Sequence, residues 1–260
     1  MKLLAAALSA QALLSACALA HPSSPLRPAP RTDFNARGLH NSTASNWAGT
    51  VLTAPPGTFA SATATFTVPH PSLPRNATGE HGASGWAGID GFACAAYLSA
   101  GIDFIVPAPN ATSFYAFYQW YPQFPINVQE VPVHAGDVVR VSVHAASASA
   151  GTAHIENLST GVSAVKDVAS ALDAAGAPMQ PLCRSSAEWV VGSWELLDKI
   201  VVPLADWGEV RFANASAVRG DGTVMGPAHE GAQTVDFVAG GKVVSKVTAT
   251  ESTVLVEYAG

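Results

Sequence analysis

The stretch ATATFTV, Ala62 to Val68, alternates small or apolar residues with threonine. That is the pattern of a half-buried strand. Similar alternating or β-branched runs recur at Phe114 to Tyr121, Val138 to His144, Val201 to Leu204, Thr234 to Val238, Val243 to Ala249 and Thr253 to Tyr258. Gly, Pro, Asn and Asp punctuate them at short intervals, which means antiparallel strands in a sandwich or barrel. Val168 to Ala177 is the exception, rich in Ala and Asp, and reads as a short helix or a loop insertion. No internal repeat or second domain is visible.

The first 43 residues differ from the rest. Lys2 precedes an almost wholly apolar or small run, and Ala18-Leu19-Ala20 forms an A-x-A cleavage site. Residues 1–20 therefore read as a secretory signal peptide. Residues 21–43, rich in Pro, Ser and Arg, read as a leader or pro-segment, leaving 44–260 as one large all-β domain. No later apolar run is long enough to span a bilayer, so the expected product is secreted and extracellular, and a monomer. Cys17 leaves with the signal, and Cys94 and Cys183 remain as a candidate disulfide in an oxidising compartment. Sequons at Asn41, Asn76, Asn110, Asn157 and Asn214 are candidate glycosylation sites.

Beyond residue 43 the basic count falls from 13 to 9 and the acidic count from 19 to 18, a formal net charge of −9. An acidic domain without a basic patch is a poor partner for nucleic acid or anionic membrane. A surface so short of Lys and Arg suits acid surroundings. The chain lacks a G-x-S-x-G elbow, H-E-x-x-H, a P-loop, a dinucleotide fingerprint and the Asp-Thr/Ser-Gly motif. Its eight histidines lack ligand spacing, and neither a metal nor a cofactor is expected.

One carboxylate stands out, in SSAEWVVGSW at 185–194. Trp189, Val190 and Val191 favour a strand, which places Ala187, Trp189 and Val191 on one face and Glu188 with Val190 on the other. Most strand glutamates simply face water. Four further stretches change that reading: Asn46-Trp47-Ala48-Gly49, Gly85-Trp86-Ala87-Gly88-Ile89-Asp90-Gly91, Cys94 through Leu98-Ser99-Ala100-Gly101-Ile102-Asp103-Phe104, and Tyr118-Gln119-Trp120-Tyr121-Pro122. Together with Cys183 and Ala187-Glu188-Trp189, in this order and spacing, they resemble the fungal glutamic peptidases, also called eqolisins or the G1 (formerly A4) peptidases.

The resemblance runs from about residue 44 to the C-terminus. It implies a concanavalin-like jelly roll, a β-sandwich of two antiparallel sheets of about seven strands each, one curved into a cleft. It implies a secreted acid endopeptidase acting on polypeptides and made with a pro-segment, and a disulfide matching Cys94–Cys183. It makes Glu188 the general base that activates water. A carboxylate suits that task in acid, where a histidine would be protonated. The family's second catalytic residue is a glutamine whose amide donates to the oxyanion, a neutral donor at any pH.

Here the sequence departs from the family. Aligned on Gly101-Ile102-Asp103-Phe104, the glutamine slot holds Ser99. A serine hydroxyl can donate, but from closer to the backbone. A second departure puts Gln119 where the family commonly has glutamate, which makes Gln119 a possible substitute donor. Trp86, Trp120 and Tyr121 are candidates to line the cleft, with core packing the ordinary alternative. Asp90 and Asp103 are candidates to bind substrate or tune Glu188 by like charge, and Asp90, close to Gly88 and Gly91, equally fits a turn. Two other functions compete: a weak or inactive homologue serving as a peptide-binding module, and, by analogy of fold alone, a carbohydrate-binding protein.

Overall fold

The computed structural model describes residues 40–107, 112–194 and 202–260. In chain order its strands are β1 His40–Ala44, β2 Trp47–Thr53, β3 Phe59–Thr67, β4 His81–Asp90, β5 Tyr97–Val106 and β6 Ser113–Tyr121. Then come β7 Ile126–Asn127, β8 Val138–Ala145, β9 Ala150–Asn157, β10 Val162–Ala169, β11 Ser186–Gly192 and β12 Glu209–Arg219. The last are β13 Val224–Met225, β14 Ala232–Ala239, β15 Lys242–Val243, β16 Ser245–Ala249 and β17 Thr253–Tyr258. No helix occurs among the described residues.

The strands form a sandwich of two mostly antiparallel sheets. The larger, nine-stranded sheet runs β1-β14-β2-β11-β4-β5-β6-β7 with β15 paired to β14. The smaller, eight-stranded sheet runs β10-β9-β8-β3-β12-β17-β16 with β13 paired to β12. Among the described strands the one parallel pair is β1 with β14. The extra members beyond seven per sheet are mostly two-residue ladders such as β7, β13 and β15.

The sheets differ in how their sequences read. In β8, Val139, Val141 and Val143 face the core while Arg140 and His144 face solvent, so the strand alternates visibly. Phe66 of β3 and Phe212 of β12 meet edge to face in that core, 5.2 Å between ring centroids. In the larger sheet β4, β5 and β11 are buried on both faces throughout. Their small residues make room for large neighbours. A Cβ on Gly192 would lie 2.5 Å from the Trp86 ring, and one on Gly101 2.6 Å from the Trp86 Cβ. Both positions must be glycine for Trp86 to lie flat across the sheet.

Several expectations are corrected. Of the two readings of Val168 to Ala177, loop holds and helix does not: the segment closes β10 and continues as a loop, where Asp173 accepts the amides of Ala175 and Ala177. Val201 lies outside the described residues, and of the run to Leu204 only Leu204 pairs, in an isolated bridge to Gly82. The sandwich begins at His40, inside the stretch assigned to the leader, because β1 hydrogen-bonds beside β14. The folded chain leaves no room for a glycan on Asn157. This residue is fully buried, and its side chain donates to Pro132 O and Asp137 and accepts the amides of Ser159 and Thr160. Asn76 and Asn214 are exposed. Asn110 and the side chain of Asn41 lie outside the described residues.

Candidate active site

β11 lies between β2 and β4, in the middle of the larger sheet. Ala187, Trp189 and Val191 point into the core. Glu188 points to the opposite, outer face, as alternation requires. That face is not wet at this place: Glu188 is wholly buried. Trp47, Val51, Trp86, Phe92, Phe117, Val190 and Val235 form an apolar cluster there. Phe92, from the turn after β4, meets Trp47 edge to face at 6.3 Å. Their backbones stand at opposite ends of β11, so the two rings roof the row that carries Glu188.

The pairing register defines that row. Val51, Glu188, Gly88, Ser99 and Gln119 stand side by side on β2, β11, β4, β5 and β6. Residues in register on neighbouring strands project from the same face. Strands are about 4.8 Å apart, so Ser99 lies about 10 Å from Glu188 between backbones, and Gln119 about 14 Å. The residue between Glu188 and Ser99 is Gly88, and the Glu188 carboxyl leans over it. A Cβ there would be 3.0 Å from Oε1. The carboxyl thus points along the row toward Ser99.

Oε1 accepts a hydrogen bond from the Trp86 indole at 2.9 Å. Oε2 is buried and has no partner among the described residues. Burial pushes the Glu188 carboxyl up to about 8; the Trp86 bond opposes this, and the nearby Asp90 charge adds to it.

Asp90 is a positioning group as much as a charge. At the end of β4, with φ of 69°, it turns its carboxylate onto the lead-in to β11. It accepts the backbone amides of Arg184 at 2.6 Å, Ser185 at 2.8 Å and Ser186 at 3.2 Å. Burial raises its pKa, and these hydrogen bonds hold it down. The disulfide Cys94–Cys183, expected from the sequence, ties the same two segments together, with Cα atoms 5.9 Å apart. Two devices therefore fix the strand that carries Glu188.

The other expected residues divide. Trp86 touches Glu188 directly. Tyr121 is on the site face, stacked on Tyr97 at 5.0 Å. Gln119 is in the row, but its amide donates to Gln123 O and its oxygen accepts from the Tyr97 hydroxyl. Trp120 is corrected: it faces the core beside Leu98 and donates to Gln180 O, so it does not line the site. Asp103 is corrected in part. It shares the face, but lies four residues along β5 from Ser99 and pairs with the Ser84 hydroxyl. Burial raises it to about 7 against that bond, and the charge felt by Glu188 comes from Asp90 instead. Tyr97, Phe92 and Gln233 were not anticipated. Alternation along β5 would have placed Tyr97 with Ser99; the other two need the register and the folded turn.

The sequence model of the peptidase A4 family matches residues 45–258. The chain belongs to the peptidase A4 family. A relative in that family, aspergillopepsin-2 of Aspergillus niger, is 34% identical over 231 residues, which cover 82% of this chain and 77% of the relative. Among solved structures, a scytalido-glutamic peptidase with a transition-state-analogue inhibitor superposes with a TM-score of 0.70 at 27% identity, covering 84% of this chain and all of that one. The aspergilloglutamic peptidase of Aspergillus niger gives 0.61 at 35% identity, covering 68% of this chain and 99% of that one. The family and these relatives are peptidases, which implies polypeptides as the substrate class.

Proposed function

We propose that the protein is a secreted, acid-acting endopeptidase in which Glu188 is the general base and Ser99 stands in the oxyanion-donor position. The observation that supports this best is the Glu188 carboxyl itself, directed over Gly88 toward Ser99 with Oε2 buried and unpartnered. A water bound at Oε2 would give its proton to the carboxylate as its oxygen adds to the peptide carbonyl. Ser99 Oγ–H donates to the resulting oxyanion, directly or through a second water. The proton on Glu188 then passes to the leaving amine as the C–N bond breaks. Trp86 holds the other carboxyl oxygen and so fixes which lone pairs face the water. Binding of a transition-state analogue by a related glutamic peptidase is consistent with this use of the face. Secretion rests on residues 1–20, and release of a leader on the Pro- and Arg-rich stretch that follows.

A second reading is a peptide-binding module with little or no activity. Two observations favour it. By the family resemblance Ser99 stands where a longer amide is expected, and the dry Glu188 carboxyl, pushed up to about 8, holds its proton in acid. The first reading therefore requires water to enter beneath the Trp47–Phe92 roof, since rehydration removes the main cause of the raised pKa. The deciding experiment is cleavage of a denatured protein between pH 2 and 7 by the leader-free chain, with Glu188→Gln as the blank. Activity in the wild type that vanishes in the variant supports the peptidase. Equal traces from the two proteins refute it.

A further inference from the structure

The row that carries Glu188 does not end at β2. Beyond Val51 it reaches Gln233 on β14. In register order it reads His40, Gln233, Val51, Glu188, Gly88, Ser99, Gln119 across seven strands. The next row on the same face reads Ser42, Val235, Gly49, Val190, Trp86, Gly101, Phe117, Asn127. The row with Glu188 carries amide, carboxyl and hydroxyl groups across the strands; the row toward Trp86 is apolar in its middle, with Ser42 and Asn127 at its ends, and the row on the other side holds Asp90, Tyr97 and Tyr121. A polar track crossing the strands is what an extended peptide needs, because its backbone presents a donor and an acceptor at each residue.

We propose that Gln233 is a substrate-binding residue on the side of this track away from Ser99. It would hydrogen-bond the peptide backbone about three residues from the scissile carbonyl. The inference rests on the peptidase reading and specifies how that site holds its substrate. Gln233 is two strands from Glu188, about 10 Å, and an extended chain advances about 3.3 Å per residue. Its side chain is nearly buried, with 6% exposure, and makes no hydrogen bond to another described residue. Its amide is not among the buried groups without a partner and so keeps some contact with solvent, and a peptide link would take up both of its ends. A carboxamide also stays neutral in acid, so this contact holds throughout the pH range in which carboxylates titrate. Val51 stands between Gln233 and Glu188, and the carboxyl leans the other way. Gln233 therefore serves the substrate's backbone and not the oxyanion.

The test uses a nested set of peptides built outward from a cleavage site mapped in the oxidised insulin B chain. Wild type, Gln233→Ala and Gln233→Glu are compared, with thermal unfolding confirming that each is folded. For peptides extending three or more residues on both sides, Gln233→Ala should raise KM about five- to tenfold with kcat little changed, the effect of one lost hydrogen bond. Peptides trimmed on one particular side should show no difference between the proteins. An unchanged KM on the long peptides overturns the proposal. So does an equal loss on long and short peptides, which marks a general structural defect. If the wild type cleaves nothing, the peptidase reading fails by itself. The Gln233 contact is then read from the Kd of the fluorescein-labelled full B chain, which should weaken five- to tenfold in Gln233→Ala. No binding by wild type, or equal binding by both, overturns it.

Discussion

Gly88 and Glu188 stand opposite each other on neighbouring strands, and the glutamate carboxyl occupies the space that a side chain on Gly88 would fill. A Cβ at Gly88 would lie 3.0 Å from Oε1 and 3.2 Å from Cγ. The glycine is what lets a long acidic side chain fold down onto the sheet and aim at the next strand. Glu188 is in this way both fully buried and directed, two properties that a solvated strand glutamate lacks.

Burial of Glu188 gives the fold a pH dependence with a definite sign. Its ordinary value is 4.5, and its folded value is raised to about 8. Below about pH 4.5 both folded and unfolded chains hold the proton, and stability is full. From there to about 8 the unfolded chain releases a proton that the folded chain retains, so stability falls as pH rises. Asp103, raised from 3.8 to about 7, acts in the same direction. The protein should be most stable in acid and lose stability on the order of a few kcal/mol by pH 8. Thermal unfolding from pH 3 to 8 checks this. Glu188→Gln should flatten part of the decline and melt higher than wild type at pH 8.

The Asp90 clamp predicts a different phenotype. Asp90→Ala leaves the amides of Arg184, Ser185 and Ser186 without their acceptor. Each unsatisfied buried donor costs about 1–3 kcal/mol, less where water enters. The variant should lose several degrees of Tm and most of its activity, because the start of β11 is released while Cys94–Cys183 still tethers it. Asp90→Asn retains one acceptor oxygen and should fall between. A variant as stable and active as wild type would remove Asp90 from the positioning of Glu188.

Asn157 shows where sequence and structure part. The sequon at Asn157-Leu158-Ser159 is no different in sequence from those at Asn76 and Asn214. Folding uses its side chain to close the turn between β9 and β10 and to reach Pro132 and Asp137. Glycopeptide mass spectrometry should find Asn157 unmodified while Asn76 or Asn214 carries glycan. Asn157→Ala should cost about 2–4 kcal/mol, since several buried groups lose partners together. Asn214→Ala, on an exposed bulge, should cost far less.

The legible parts of the fold were those with one wet face. ATATFTV and the β8 run alternate because the smaller sheet shows one side to solvent. The strands β4, β5 and β11 carry no alternation, because both their faces are buried. Their glycines answer to Trp86 and Glu188, and no periodicity reports that. The likeness of five short motifs to a known family narrowed a sandwich or barrel to the sandwich, supported the Cys94–Cys183 pairing and singled out Glu188 as the candidate base. It misjudged Trp120, because a tryptophan's face is set by its register to Leu98 and not by the residues beside it in sequence. It also missed Gln233, which joins the row only through pairing across 182 residues of chain with Val51.

Ser99 decides between enzyme and binding module. It is in register with Gly88, one strand from the place where the Glu188 carboxyl comes to rest. A glutamine at 99 would carry an amide farther over the face, toward Oε2. Loss of one oxyanion donor typically costs 10²–10³ in kcat, so Ser99→Gln should raise acid peptidase activity at least about tenfold. The gain should vanish in the double variant with Glu188→Gln, because a donor cannot replace a missing base. Gln119 provides the control. Its amide is already committed to Gln123 O, and its backbone lies about 14 Å from Glu188. Gln119→Ala should therefore leave kcat within a few-fold of wild type if Ser99 holds the donor position. Were Gln119 the donor, the outcomes would reverse: Gln119→Ala would lose most of the activity, and Ser99→Gln would gain little. A folded Ser99→Gln that is no more active than wild type, beside a harmless Gln119→Ala, would leave Glu188 a buried acid in a peptide-binding protein.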